Sequence, residues 1–223
     1  MSRFDKNYTK NGYLMNYEKS PSLVPYNNCV MQFLIKMKDI EPTIWRRILV
    51  PSNYNFWDLH VAIQDSMGWL DYHLHHFTIK AKAKHKAVNI GIPDFYSPGD
   101  LPEVFPGWEI HVASYFNDLG ITADYLYDYG DDWYHTVKLE GYIFKEKGQK
   151  YPCCTGGERS CPREDCGGIR GYTELIKILS NPSGEEYEEY RMWAGEDWNP
   201  EHFRKEEIKF DNPHKRWKFA FLK

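Results

Sequence analysis

The chain has 223 residues, a formal net charge of −4 and an aromatic content of 17%. A hydrophobic share of 42% is too high for a disordered polymer, and the acidic balance argues against bulk electrostatic attraction to nucleic acid. No apolar run reaches the ~20 residues that span a bilayer, and the opening MSRFDKNYTKNGYLMNYEKS lacks the apolar core of a secretory leader, so a cytoplasmic protein with no membrane partner is expected.

Residues 1–27 are polar, rich in Tyr and Asn, and read as an extended arm ahead of a single domain over 28–223. The first strand follows in CVMQFLIKMKDI, where Met31, Phe33, Ile35 and Met37 alternate with Val30, Gln32, Leu34 and Lys36. Pro42 interrupts, and Thr43 to Val50 reads as the second arm of a hairpin. Helical spacing of Phe56, Leu59, Ile63 and Met67 predicts a helix, with Asn55 as N-cap, Asp58 in its first turn and Gly68 as its stop. Residues 73–90 return to strand alternation, and the proline- and glycine-rich stretch 91–108 reads as a loop. ADYLYDYGDDWYHTVKLEGYIF predicts a second hairpin turning at Gly130, Asp131 and Asp132. Residues 148–171 read as a cysteine loop, followed by helices over YTELIKILS and EEYEEYRMW. The tail IKFDNPHKRWKFAFL suits a strand or a short helix equally. Strands first and helices later point to an α+β fold, with a mixed or antiparallel sheet and two or three packed helices.

Four groups of residues have the chemistry to do something. Cys154, Cys161 and Cys166 lie among glycines in YPCCTGGERSCPREDCGGIRGY, with Cys153 beside them. Five cysteines without an export signal suggest reduced thiols or zinc ligands, and two readings stay open: a structural zinc, or thiols packed as small hydrophobes. Asp128, Asp131 and His135 crowd the second hairpin, where they suit a divalent metal, with Glu164 or Asp165 as general base of a hydrolase or nuclease. The plainer alternative makes Asp131 and Asp132 turn residues and His135 a half-buried member of a face with Trp133, Val137 and Leu139. His73 and His75, two apart, are expected on one side of a strand as a ligand pair or as surface residues. Lys80, Lys82, Lys84 and Lys86 alternate along one strand face, which fits a phosphate track or an edge guard. No phosphate-binding loop, dinucleotide glycine fingerprint, GxSxG elbow or HExxH helix is present.

Five blocks in order, IWRRILVP, FWDLHVAIQDSMGW with HLHHF, YLYDYGDDWYHTVKLE, CTGGERSCPREDCGGIRGY and MWAGEDWNPEHF, make the chain resemble the plasmid ORF-3-like family. That family is named from an Ri-plasmid reading frame and is also labelled a transposon passenger or TnpR-like protein. The resemblance implies an α+β domain such as an α/β roll, with the family's loop pattern falling on Cys154, Gly157, Arg159, Cys161, Pro162, Glu164, Asp165, Cys166, Gly167 and Gly168. Arg163 stands where the pattern has a second proline, and Cys153 at a position it leaves free. The resolvase label finds no support in the residues: Ser2, Ser20 and Ser22 have no arginine-rich core around them, and no recombinase set assembles from Arg46, Arg47, His135 and a tyrosine. The expectation is a binding or accessory module of mobile elements with a protein or nucleic-acid partner.

Overall fold

A computed structural model describes residues 28–80, 87–93 and 103–222. The expected arm over 1–27 and the lysines at 82, 84 and 86 lie outside the described residues. The elements run β1 (Cys29–Met37), β2 (Trp45–Pro51), α1 (Phe56–Met67), β3 (His75–Ile79), β4 (Val88–Gly91), β5 (Val104–Pro106), α2 (Val112–Tyr115), β6 (Thr122–Tyr127), β7 (Trp133–Phe144), β8 (Cys153–Glu158), α3 (Gly168–Leu179), α4 (Tyr187–Ala194) and α5 (Pro213–Phe221). Among the described residues eight strands form one open sheet in the order β5-β4-β3-β6-β7-β1-β2-β8, in which β4 and β5 are the only parallel pair. The class is α+β, as the segregated pattern of elements predicts, with five helices among the described residues.

Both expected hairpins form. β1 and β2 pair antiparallel with Lys36 opposite Trp45 and Val30 opposite Pro51, while β6 and β7 pair from Tyr127–Trp133 to Thr122–Lys138. Alternation decides which face is buried: Met31, Phe33, Ile35 and Met37 of β1 and Trp133, His135, Val137 and Leu139 of β7 are all buried on the core side. Helix α1 starts at a full capping box, with Asn55 Oδ1 accepting from the Asp58 amide and Asp58 Oδ2 accepting from the Asn55 amide, and Gly68 ends it in the left-handed conformation.

Helix α1 is buried nearly all round, because its two sides meet different layers. Phe56, Leu59, Ala62, Ile63 and Met67 join the core over the sheet, while Trp57 and Val61 pack in a second cluster with Trp108, Trp217 and Phe221. α5 therefore covers the outer side of α1, giving sheet, α1 and α5 as successive layers. Trp57 Nε1 ties them by donating to the Pro213 carbonyl at 2.9 Å. The undecided tail is thus a helix, capped by Asn212 with Pro213 in its first turn.

The cysteine loop is a partial correction. Within the expected loop 148–171, residues Cys153–Glu158 form β8, an edge strand on β2, and Gly168 already belongs to α3, so 148–152 and 159–167 are the irregular parts. Gly156 and Gly157 are small because other groups cross them: a Cβ on Gly157 would lie 2.5 Å from Phe203 Cζ and 2.8 Å from the Trp45 carbonyl oxygen.

Candidate metal centre

Several contacts pin the irregular segment 159–167. At its start the Ser160 amide donates to the Pro200 carbonyl and Arg159 to the Pro42 carbonyl, both at 2.9 Å, and four further attachments follow. Arg46, only 3% exposed, donates to the carbonyls of Ser66 (2.8 Å), Glu158 (2.9 Å) and Arg159 (2.7 Å) and reaches Cys161 Sγ at 3.3 Å. Trp69 Nε1 donates to the Pro162 carbonyl at 2.9 Å. Glu164 Oε1 accepts from the Tyr127 hydroxyl at 2.5 Å and from the Leu70 amide at 3.1 Å. Finally, the Gly167 amide donates to Asp131 Oδ2 at 3.2 Å. Gly168 has φ +67° and sits against the Asp131 carbonyl so closely that a Cβ would come within 2.6 Å of it.

This docking brings Asp165 to the second hairpin's turn. His73 Nε2 lies 3.2 Å from Asp165 Oδ1 and 3.6 Å from Asp128 Oδ2, and the three ligand atoms lie within 4.8 Å of one another. Asp128 and Asp165 both adopt left-handed backbone, at φ +59° and +58°, a conformation aspartate tolerates better than most residues. Asp128 is nearly buried and held in place: its amide donates to the Leu74 carbonyl at 3.0 Å, and its Oδ1 accepts from the Gly130 amide at 2.9 Å. His73 Nε2 is shielded from solvent and makes no hydrogen bond of good geometry.

Of the sequence-predicted residues, Asp128 and Asp165 are thus brought together, and Asp131 stands next to them as the anchor of the Gly167 amide. Glu164 is tied to Tyr127 and Leu70. His135 is elsewhere: it lies fully buried on the core face, its Nδ1 3.3 Å from the Tyr125 carbonyl and its ring edge-on to Trp69. Burial lowers its pKa to about 4. Alternation along β7 explains this, since a residue two after Trp133 must share Trp133's face.

The three cysteines occupy separate places. Cys154 lies in β8 opposite Ile48, Cys161 is buried against Arg46 and Met67, and Cys166 is beside the acidic turn. Among the described residues no cysteine belongs to a group of three metal-binding side chains. Burial raises the pKa of all three thiols, and for Cys166 burial together with the Asp131 and Asp165 charges pushes it up to about 12, so each is held as thiol.

His73 and His75 also part company. β3 begins only at His75, and left-handed Asp71 (φ +62°) turns the chain before it, so the rings do not share a strand face. His75 is fully buried and stacks on His60, with centroids 3.4 Å apart and planes 6° apart. Behind the stack runs a polar chain that one proton assignment satisfies. Gln64 Nε2 donates to the Tyr125 oxygen at 2.9 Å, the Tyr125 hydroxyl to His60 Nδ1 at 2.8 Å, and His60 Nε2 to Asp71 Oδ1 at 2.7 Å. Burial holds both imidazoles well below the ordinary histidine pKa and raises Asp71 to about 6.

His60, Asp71 and His75 also bring ligand atoms within 4.8 Å of one another, but their geometry is poor for a metal. An ion shared equally by two parallel rings 3.4 Å apart would sit about 1.7 Å out of each plane, against a metal–nitrogen bond of about 2.1 Å along an in-plane lone pair. His60 has both nitrogens engaged as well. The outer group of His73, Asp128 and Asp165 is therefore the better candidate for a metal centre. His73 was visible in the sequence as one of a histidine pair, whereas nothing local marks Asp71, Tyr127 or Arg46, whose roles arise from contacts distant along the chain.

Fold and site define an α+β domain whose open mixed sheet carries a pinned, cysteine-containing loop against an acidic hairpin turn. The family model described as plasmid pRiA4b ORF-3-like protein matches residues 29–207, and the chain belongs to that family. It is 32% identical over 167 residues to an uncharacterised protein, y4hQ, of Sinorhizobium fredii (strain NBRC 101917 / NGR234), covering 74% of this chain and 81% of the relative. The crystal structure of a protein of unknown function, MM3350 from Methanosarcina mazei Go1, matches with a TM-score of 0.73 at 36% identity, covering 82% of this chain and 98% of that one. Among the described residues no helix is long and apolar enough to cross a membrane.

Proposed function

We propose that this chain is an accessory binding module in which a divalent cation, held by His73, Asp128 and Asp165, clamps the segment 159–167 onto the turn of the second hairpin. One observation carries the reading: three side chains from three separate segments place ligand atoms within 4.8 Å, with His73 Nε2 shielded from solvent between the Asp165 and Asp128 carboxylates at 3.2 and 3.6 Å. One imidazole and two carboxylates suit zinc, manganese or ferrous iron better than a soft thiophilic ion. The set supports binding over hydrolysis, because Glu164, the remaining candidate base, is committed to Tyr127 and Leu70. The cysteines serve as packing groups, Cys154 in β8, Cys161 against Arg46 and Met67, and Cys166 beside the clamp. The plasmid and mobile-element setting belongs to the same proposal and rests on the family description.

The test is calorimetric titration of zinc and of manganese into chelator-treated protein. One ion per chain is expected, with affinity reduced about tenfold or more in His73→Ala and in Asp165→Asn. Equal affinity in the variants, or no binding of either ion, would remove the clamp.

A further inference from the structure

The face on which the β7–β8 loop meets the start of α5 carries a cleft of about 980 Å³, within the range of roughly 300–1,000 Å³ typical of small-molecule sites. The half-buried rings of Tyr54, Tyr151 and Phe210 line it, together with the exposed ammonium groups of Lys150, Lys215 and Lys218. Two carboxylates share the wall, and both are engaged: Asp58 in the capping box of α1, Asp211 with Arg216. None of the three lysines has an ion-pair partner among the described residues. The cleft therefore presents three uncommitted positive charges beside aromatic surface, although the chain as a whole is acidic. The N-terminal end of α5, capped by Asn212, opens into the same space and adds the positive end of its dipole.

Cationic groups alternating with aromatic faces are what a phosphorylated planar ring requires: the ammonium groups neutralise the phosphate while the base stacks on a ring. We propose that this cleft binds a nucleotide, either free or as part of a single strand. The inference is independent of the cation clamp, since it uses none of the same residues. Because the positive charge is local, engagement is short and salt-sensitive. Three phosphate-facing charges give a slope of about −2 for log affinity against log salt on a single strand.

The experiment uses the full chain and a fluorescein-labelled oligothymidylate of about 12 nucleotides, followed by anisotropy across a salt series, with adenosine monophosphate as competitor. Saturable binding with a slope near −2 is expected. In Lys215→Ala/Lys218→Ala affinity falls about tenfold or more and the slope flattens to roughly −0.7, whereas Tyr151→Ala weakens binding with the slope unchanged. Both lysines are exposed, so an unchanged urea midpoint confirms that the double variant is folded. Displacement by adenosine monophosphate assigns the free nucleotide, and failure to displace assigns the single strand. The proposal is overturned if neither probe binds, or if the lysine double variant binds as the parent does.

Discussion

His135 gives the most quantitative prediction. The ring is fully buried against Trp69 and Tyr125, and burial lowers its pKa from 6.5 to about 4. An unfolded chain frees this imidazole to take up a proton that the folded one refuses, so between those two values the unfolded state binds more protons and stability falls as pH falls. The whole gap is worth about 3 kcal/mol, and a drop from pH 7 to pH 5 removes about 2 kcal/mol of it. His135→Phe keeps a ring of similar size and cannot titrate. Urea unfolding of parent and variant at pH 7, 6 and 5 should show the parent losing about 2 kcal/mol more than the variant over that range. His60 and His75, also depressed, add to the acid sensitivity of both proteins, and Asp71, raised to about 6, opposes it in both. The difference between the profiles therefore reports His135 together with whatever its replacement passes to His60 through Tyr125. Parallel pH profiles for the two proteins would refute the burial argument.

Arg46→Met should cost about 3–5 kcal/mol, because it strands the buried carbonyls of Ser66, Glu158 and Arg159; a urea midpoint shift worth less than about 1 kcal/mol would contradict this. Asn55→Ala removes half of the α1 capping box and the bond from Nδ2 to the Trp108 carbonyl, for an expected loss of about 1–2 kcal/mol by the same assay. Gly168→Ala forces a Cβ against the Asp131 carbonyl at a left-handed position, so it should lift the start of α3 off the acidic turn. A stability loss of about 1–3 kcal/mol is expected, with weaker zinc binding measured by titration.

Features that depend on near neighbours in the chain were legible in the sequence. The alternation of β1, the Asn55 cap with Asp58 in the first turn of α1, and the turn at Gly130 each depend on residues a few positions apart, and each stands in the structure as expected. The misreadings share a different cause. Gly156 and Gly157 resemble loop formers, yet they are strand residues kept small by Trp45 and Phe203, the latter about fifty positions away. The amphipathic pattern of α1 shows only the side facing the sheet, since the partner of Trp57 is α5 at the far end of the chain. For the site, Asp128, Asp165 and His73 were each visible as candidates. Asp128 and Asp165 were expected in one site with His135; that His73 takes this place was not legible, because β3 begins only at His75 and the Gly167–Asp131 bond delivers Asp165.

The attachments of segment 159–167 also decide what a cation can do there. Arg46, Trp69, Tyr127 and Asp131 hold the segment through contacts that need no metal. That distinguishes the clamp from a small zinc domain, where metal binding supplies the folding free energy and a chelator unfolds the chain. Here the ligands are brought together by the fold itself, and a bound ion adds only linkage stabilisation, about 2.7 kcal/mol at a hundredfold excess over its dissociation constant. Chelated protein should therefore keep a cooperative urea transition at a lower midpoint. Complete loss of that transition would show that the metal builds the segment, and the pinning by Arg46 and Trp69 would then be its consequence.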